Sequence, residues 1–230
     1  MAAVGVRGPG ALSGMPDDPT LQRYAELISQ YHDALDLVSG RGLNDLGRMI
    51  GEAEAYADLV RDVVGEEVTI LDVGSGAGLP GIVLAAKLPR STVHLVERRR
   101  RRGAFLALAV GRLGLENARV WTQDVKELDG VCADVVTAQA VANLAVIAGL
   151  TRHLHRDPCY LVSRRGPDWL AELDPLKEVL GVGGAPVGGP EQAAAQDPPA
   201  IAVAAERPLG RGGSLIAVRL GGGQACPSSG

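Results

Sequence analysis

An α/β fold with a doubly wound, mostly parallel sheet is predicted by three features of this chain of 230 residues. Short apolar strand patterns alternate with helical ones between residues 68 and 164, the order expected of parallel strands joined by crossover helices. The first strand runs into Gly74-Ser-Gly-Ala-Gly78, a turn of closely spaced glycines that opens a helical run from Ile82 to Leu88. Two final apolar runs, Ala200 to Ala205 and Ser214 to Leu220, flank Arg207-Pro-Leu-Gly-Arg-Gly-Gly213 and read as a C-terminal antiparallel hairpin.

Taken in order, residues 1–16 are rich in Gly, Ala and Pro without periodicity and are expected to be a disordered tail. Asp18 before Pro19 reads as a helix N-cap with proline in the first turn. Leu21, Tyr24, Leu27, Ile28, Tyr31, Leu35 and Val38 then recur at helical spacing, giving one amphipathic helix that ends near Ser39-Gly40. A second helix is expected from Asn44, with Leu46, Ile50, Ala53, Leu59, Val60 and Val63 inward. Two such helices cannot bury their faces alone, so residues 17–66 form a helical brace on the domain of residues 67–220. Strands are expected at 68–73, 92–97, 118–122, 133–138 and 159–164, with helices between them. Gly181 to Pro199 reads as a long or poorly ordered connection, and residues 221–230 as a second disordered tail.

Composition narrows the function. A 46% hydrophobic content supports a full core, yet Trp, Tyr and Phe together number seven, so aromatic platforms for stacked bases are scarce. The three cysteines, Cys132, Cys159 and Cys226, are far apart and in no metal-ligand spacing, which reads as reduced and structural. His153 and His155 have no further clustered ligand, so no metal is expected. No apolar run is long enough to span a membrane and no basic start precedes an apolar one; a cytoplasmic protein with no membrane partner is expected. The net charge of -4 is unevenly spread, because residues 98–165 hold twelve of the 23 Lys and Arg but six of the 27 Asp and Glu. A local basic face on an acidic protein can still meet phosphates.

The glycine turn is a cradle of nucleotide size, since glycine permits positive φ and close approach of a ligand, and the next helix start presents free N–H groups. Glu97, ending the second strand, is placed to accept both hydroxyls of a ribose. The spacing Gly74-x-Gly76-x-Gly78 departs from the G-x-G-x-x-G of dinucleotide sites, and Asp72 stands two residues before the first glycine. An acid there repels a pyrophosphate and suits a cationic ligand with an ammonium and a sulfonium, which points to S-adenosyl-L-methionine.

Asp72-Val-Gly-Ser-Gly-Ala-Gly-Leu-Pro-Gly81, with Arg101-Arg-Gly-Ala-Phe-Leu106 and Leu113-Gly-Leu-Glu-Asn117, resembles the small-subunit ribosomal RNA methyltransferase G family, also called glucose-inhibited division protein B. The resemblance covers roughly residues 20–165 and is strongest over 68–117. It implies a Rossmann-like class I methyltransferase that uses S-adenosylmethionine to methylate N7 of a guanine in 16S rRNA, with 16S rRNA or the small ribosomal subunit as partner.

The resemblance implies cofactor contacts at Gly74 and Leu79, with Ser75, Gly76 and Gly78 in the same loop, and at Val125-Lys126 after the third strand. Lys126 replaces a family Glu, while Asp124 can accept from the adenine amine or cap the following turn. Gln139 stands where the family has an Arg shared by the cofactor and substrate sites; it can hydrogen-bond but brings no charge. Arg164-Arg165-Gly166 keeps a cation before glycine, so Gln139 and Arg165 are the candidate substrate-side residues, without any catalytic acid or base. In Arg48-Met-Ile-Gly-Glu-Ala53 the family's basic and acidic positions persist while Met49 replaces a His; a solvated helix face and a functional one both remain open. RNA contacts are expected from Arg99, Arg101, Arg102, Arg164 and Arg165, and a monomer is expected. Gln139 and the acidic total also leave open a diverged methyltransferase of small metabolites, or a non-catalytic S-adenosylmethionine- or RNA-binding protein.

Overall fold

The computed structural model describes residues 14–139, 142–181, 201–209 and 212–222. The expected disordered tails, 1–16 and 221–230, and the expected connection from Gly181 to Pro199 lie outside them except for residues 14–16, 181, 221 and 222.

Helix α1 (Pro19–Leu35) begins where the sequence places it, with the Asp18 carboxylate accepting from Thr20 N at 2.8 Å and Leu21 N at 3.3 Å. It ends earlier than the apolar spacing suggests. Asp36 turns left-handed at φ 48° and its N–H donates to the His32 carbonyl, which stops the helix before Leu37 and Val38. A short helix α2 (Gly40–Asn44), which the apolar spacing does not announce, then precedes α3 (Leu46–Val63), the expected second helix beginning two residues later.

The sheet has the order β3-β2-β1-β4-β5-β7-β6. Its strands are β1 (Thr69–Val73), β2 (Thr92–Val96), β3 (Ala118–Trp121), β4 (Ala133–Thr137), β5 (His155–Arg165), β6 (Ile201–Leu209) and β7 (Gly213–Leu220). The first five are parallel, whereas β7 lies antiparallel between β5 and β6. This is the doubly wound sheet with its terminal hairpin. The chain winds outward through β2 and β3 and returns to the other side of β1 as β4. Such a reversal opens a crevice at the carboxyl ends of β1 and β4.

Period-2 alternation divides the core between the two faces. Ile70, Val93, Val135 and Val162 pack with α1, α3, α4 (Gly81–Lys87) and α5 (Arg100–Leu113). Leu71, Val96, Val136 and Leu161 pack on the opposite face with α6 (Leu144–Thr151) and α7 (Leu173–Leu180). The brace helices therefore share one core with the sheet. Asn117 closes the α5–β3 corner, its side-chain amide reaching the carbonyls of Ala85, Leu88 and Ser91 at 3.1, 3.1 and 3.0 Å.

Cys159 is a free, buried thiol, as expected of a structural cysteine. Cys226 lies outside the described residues. Among the described residues no helix is long and apolar enough to cross a membrane, and no group of three or more His, Cys, Asp or Glu is placed to hold a metal.

Candidate active site

The glycine turn is held by backbone bonds. Gly74 N and Ser75 N both donate to the Val96 carbonyl, at 2.8 and 3.0 Å, and Gly78 N donates to the Ser75 carbonyl at 2.6 Å. Gly74, Gly76 and Gly78 take φ of 69°, 56° and 99°, which side chains disfavour. Two glycines also answer to packing. A Cβ on Gly78 would stand 2.5 Å from Ile82 Cγ1 and 2.9 Å from the Tyr24 hydroxyl; one on Gly81 would stand 2.6 Å from Asp72 Oδ2. Tyr24, wholly buried on α1, donates to the Ala77 carbonyl at 2.7 Å and ties the brace to the loop.

The acids flanking the loop lie behind it. Asp72 is buried; its Oδ1 accepts from the Thr137 hydroxyl at 2.7 Å, and its Oδ2 lies against Gly81 without a hydrogen bond of ordinary geometry. Burial, aided by the neighbouring Glu97 charge, pushes its pKa up to about 6 against the hydrogen bonds that lower it. Glu97 is buried as well, accepting from Gly76 N at 3.1 Å on one oxygen and from Arg99 N at 2.8 Å on the other. Each oxygen keeps a second lone pair for a ribose hydroxyl. Asp124 caps the single turn Val125–Glu127 by accepting from Lys126 N at 3.0 Å; Val125 is buried and Lys126 exposed. Glu97 and Asp124 thus follow the ends of the adjacent strands β2 and β3.

A cavity of about 610 Å³ opens on the other side of the loop. Gly74, Ser75, Gly76 and Leu79 form one wall. Asp45, Arg48, Met49 and Glu52 of the α3 region form another, and Leu37 to Ser39, Gln139, Arg102 and Arg164 complete the lining. Arg48 is clamped from both sides, to Glu52 Oε1 at 2.5 Å and Asp45 Oδ2 at 3.0 Å. Arg164 Nε lies 3.7 Å from Glu52 Oε2, and Arg102 donates to the Asp36 carbonyl at 2.5 Å.

The arginines expected to act together are divided. Arg164 and Arg165 are neighbours on a strand and so point to opposite faces. Arg165 turns away from the cavity, donating to the Ala142 carbonyl at 2.7 Å beside Glu172, and its burial lowers its pKa. In the run after Glu97, Arg98 to Arg101 are exposed and form no ion pair among the described residues, whereas Arg102 is turned inward. The α3 wall had one sequence signal, the basic and acidic pair four residues apart in Arg48-Met-Ile-Gly-Glu52. Asp45 and the Leu37–Ser39 turn had none.

A family model described as rRNA small subunit methyltransferase G matches residues 17–186. The chain belongs to that family. A ribosomal RNA small subunit methyltransferase G of Thermobifida fusca is 35% identical over 163 residues, 70% of this chain and 68% of the relative. One of Neisseria meningitidis serogroup A is 43% identical over 146 residues, 64% and 69% of the two chains. Among solved structures, M. jannaschii TYW2 in complex with AdoMet aligns at a TM-score of 0.52 and 14% identity, over 74% of each chain. MtNAS in complex with MTA and tNA aligns at 0.54 and 16% identity, over 86% of this chain and 72% of that one. Both share the fold of this chain, and at such identities the likeness goes no further.

Proposed function

We propose that this protein transfers a methyl group from S-adenosylmethionine to N7 of a guanine in 16S rRNA, acting as a cytoplasmic monomer on that RNA or the small ribosomal subunit. The observation that carries this reading is the cavity joining the glycine loop to a wall of guanidinium, carboxylate and amide groups. When bound, S-adenosylmethionine supplies a methyl on a cationic sulfur, which the N7 lone pair takes in one displacement, leaving the electron pair on sulfur and the charge on guanine.

The residues present fit that ligand. Gly76 leaves open space, since a Cβ there would approach nothing closer than 3.7 Å. Ser75, Gly76 and Leu79 line the methionine side, Glu97 accepts from the ribose, and Asp124 with Val125 and Lys126 borders the adenine. Asp72 acts from beneath, accepting from the Thr137 hydroxyl and packing against Gly81 at the start of α4, so that the loop keeps its shape. N7 has no proton to lose, so the chain must align the base and exclude water rather than supply a base. The exposed cations Arg98 to Arg101 precede Arg102 at the cavity rim and are free to meet RNA phosphates.

The test is transfer of labelled methyl to 30S subunits and to 16S rRNA lacking the modification, with Gly76→Val as the control. Incorporation at one guanine, abolished in the control, is the expected result. Calorimetric binding of S-adenosylmethionine without incorporation into either RNA substrate overturns the assignment.

A further inference from the structure

Polar groups on the cavity wall follow an order set by the sheet. β1, β4 and β5 are consecutive neighbours, so the glycine loop after β1, Gln139 after β4 and Arg164 near the end of β5 succeed one another along one edge. Glu52 of α3 comes next, its Oε2 3.7 Å from Arg164 Nε. From methyl donor outward, the wall thus presents amide, guanidinium and then carboxylate. A guanine read outward from N7 presents the O6 acceptor, then the N1–H and N2–H donors. Adenine inverts this, with an N6 donor in place of O6 and an acceptor at N1.

We propose, on the guanine assignment above, that Glu52 is the base-reading residue of this site. Its Oε2 and the free lone pair of Oε1 accept from N1–H and the N2 amine, while Arg164 donates to O6 and N7 is turned toward the glycine loop. Glu52 has the capacity, because among the described residues only its Oε1 is engaged by a hydrogen bond, from Arg48 at 2.5 Å, and Oε2 is beyond hydrogen-bond reach of Arg164. It is also held in place: its side chain is 14% exposed, and Arg48 is itself anchored to Asp45. Arg48 is accordingly a positioning residue. Met49 and Leu79, both lining the cavity, offer the ring apolar contact where aromatic residues are few.

The experiment compares kcat/KM on 16S rRNA in which the target nucleotide, mapped with the wild-type enzyme, is guanosine or inosine, the latter lacking only the N2 amine. Wild type is expected to prefer guanosine by about tenfold, the range of one good base-edge contact. Glu52→Gln and Glu52→Ala are expected to lower kcat/KM on guanosine at least tenfold and bring the guanosine-to-inosine ratio close to one, with S-adenosylmethionine binding by calorimetry unchanged. Retention of the wild-type ratio in either variant that still binds the cofactor overturns the role of Glu52. So does a wild-type ratio of one. Should both variants lose cofactor binding, Glu52 is a structural ion-pair residue and the assignment also falls. Absence of transfer by wild type to any guanosine RNA overturns the guanine assignment itself, a separate outcome.

Discussion

The two walls of the cavity are built on different physics. Near the strand ends, the loop from Gly74 to Gly81 is fixed by backbone hydrogen bonds, positive φ angles and contacts that leave no room for a Cβ at Gly78 or Gly81. On the other wall, the α3 region presents Asp45, Arg48 and Glu52, whose arrangement depends on charge pairing between partly exposed side chains. A wall of backbone holds one shape and is damaged by any added atom. A wall of ion pairs tolerates substitution in the fold and changes what it recognises.

The largest test of that contrast is Gly78→Ala. Left-handed strain of about 1–2 kcal/mol and overpacking of about 1–3 kcal/mol are expected to combine, so the denaturation midpoint falls sharply and cofactor binding by calorimetry is lost. An unchanged midpoint would show that the loop yields. Next is the pH dependence carried by Asp72. Its pKa rises from 3.8 to about 6 on folding, so between these values the folded chain keeps a proton that the unfolded chain has released. This contribution to stability is present below the lower value and is lost as pH rises through 6, at a cost of about 3 kcal/mol. His155 has the opposite sign: burial, with the nearby His153 and Arg152 charges, lowers its pKa to about 4, so its contribution is lost on acidification. The measurement is therefore the difference in unfolding free energy between wild type and Asp72→Asn from pH 4 to 7, which should grow in the variant's favour as pH rises.

Tyr24→Phe leaves the Ala77 carbonyl without its buried donor and should cost about 1–3 kcal/mol in chemical denaturation, with weaker cofactor binding. On the other wall, Arg48→Ala should change stability by less than about 1 kcal/mol, as expected for a partly exposed pair, while methyl transfer to rRNA falls. The reverse pattern, stable transfer with lost stability, would erase the distinction between the walls. Smallest of all, Arg99→Ser with Arg101→Ser should leave stability within about 0.5 kcal/mol and flatten the salt dependence of RNA binding by about 0.7 per lost single-strand phosphate contact.

Much of the cradle was legible before the fold. Thr69 to Val73 is an apolar run broken only by Thr69 and Asp72, the glycines announce their own turn, and the later strands are short apolar runs between helical ones. The terminal hairpin was legible for the same reason. Arg164 and Arg165 illustrate a partial reading: both were marked as cations near RNA, yet strand periodicity alone already requires that only one face the cavity. The break after Leu35 was hidden because apolar spacing continues through Val38 while Asp36 leaves the helix.

Local pattern by itself determined the order of strands and helices, the glycine turn, and the acids beside it, since each depends on residues close along the chain. Only tertiary structure decided that Asp72 stands beneath the loop rather than in the cavity, that Arg102 faces inward while Arg98 to Arg101 face solvent, and that Glu52 lies beside Arg164, 112 residues away. The reason is physical. A side chain's chemistry is written in its own residue, but its partners are set by how α3 and the sheet edge pack over their shared core.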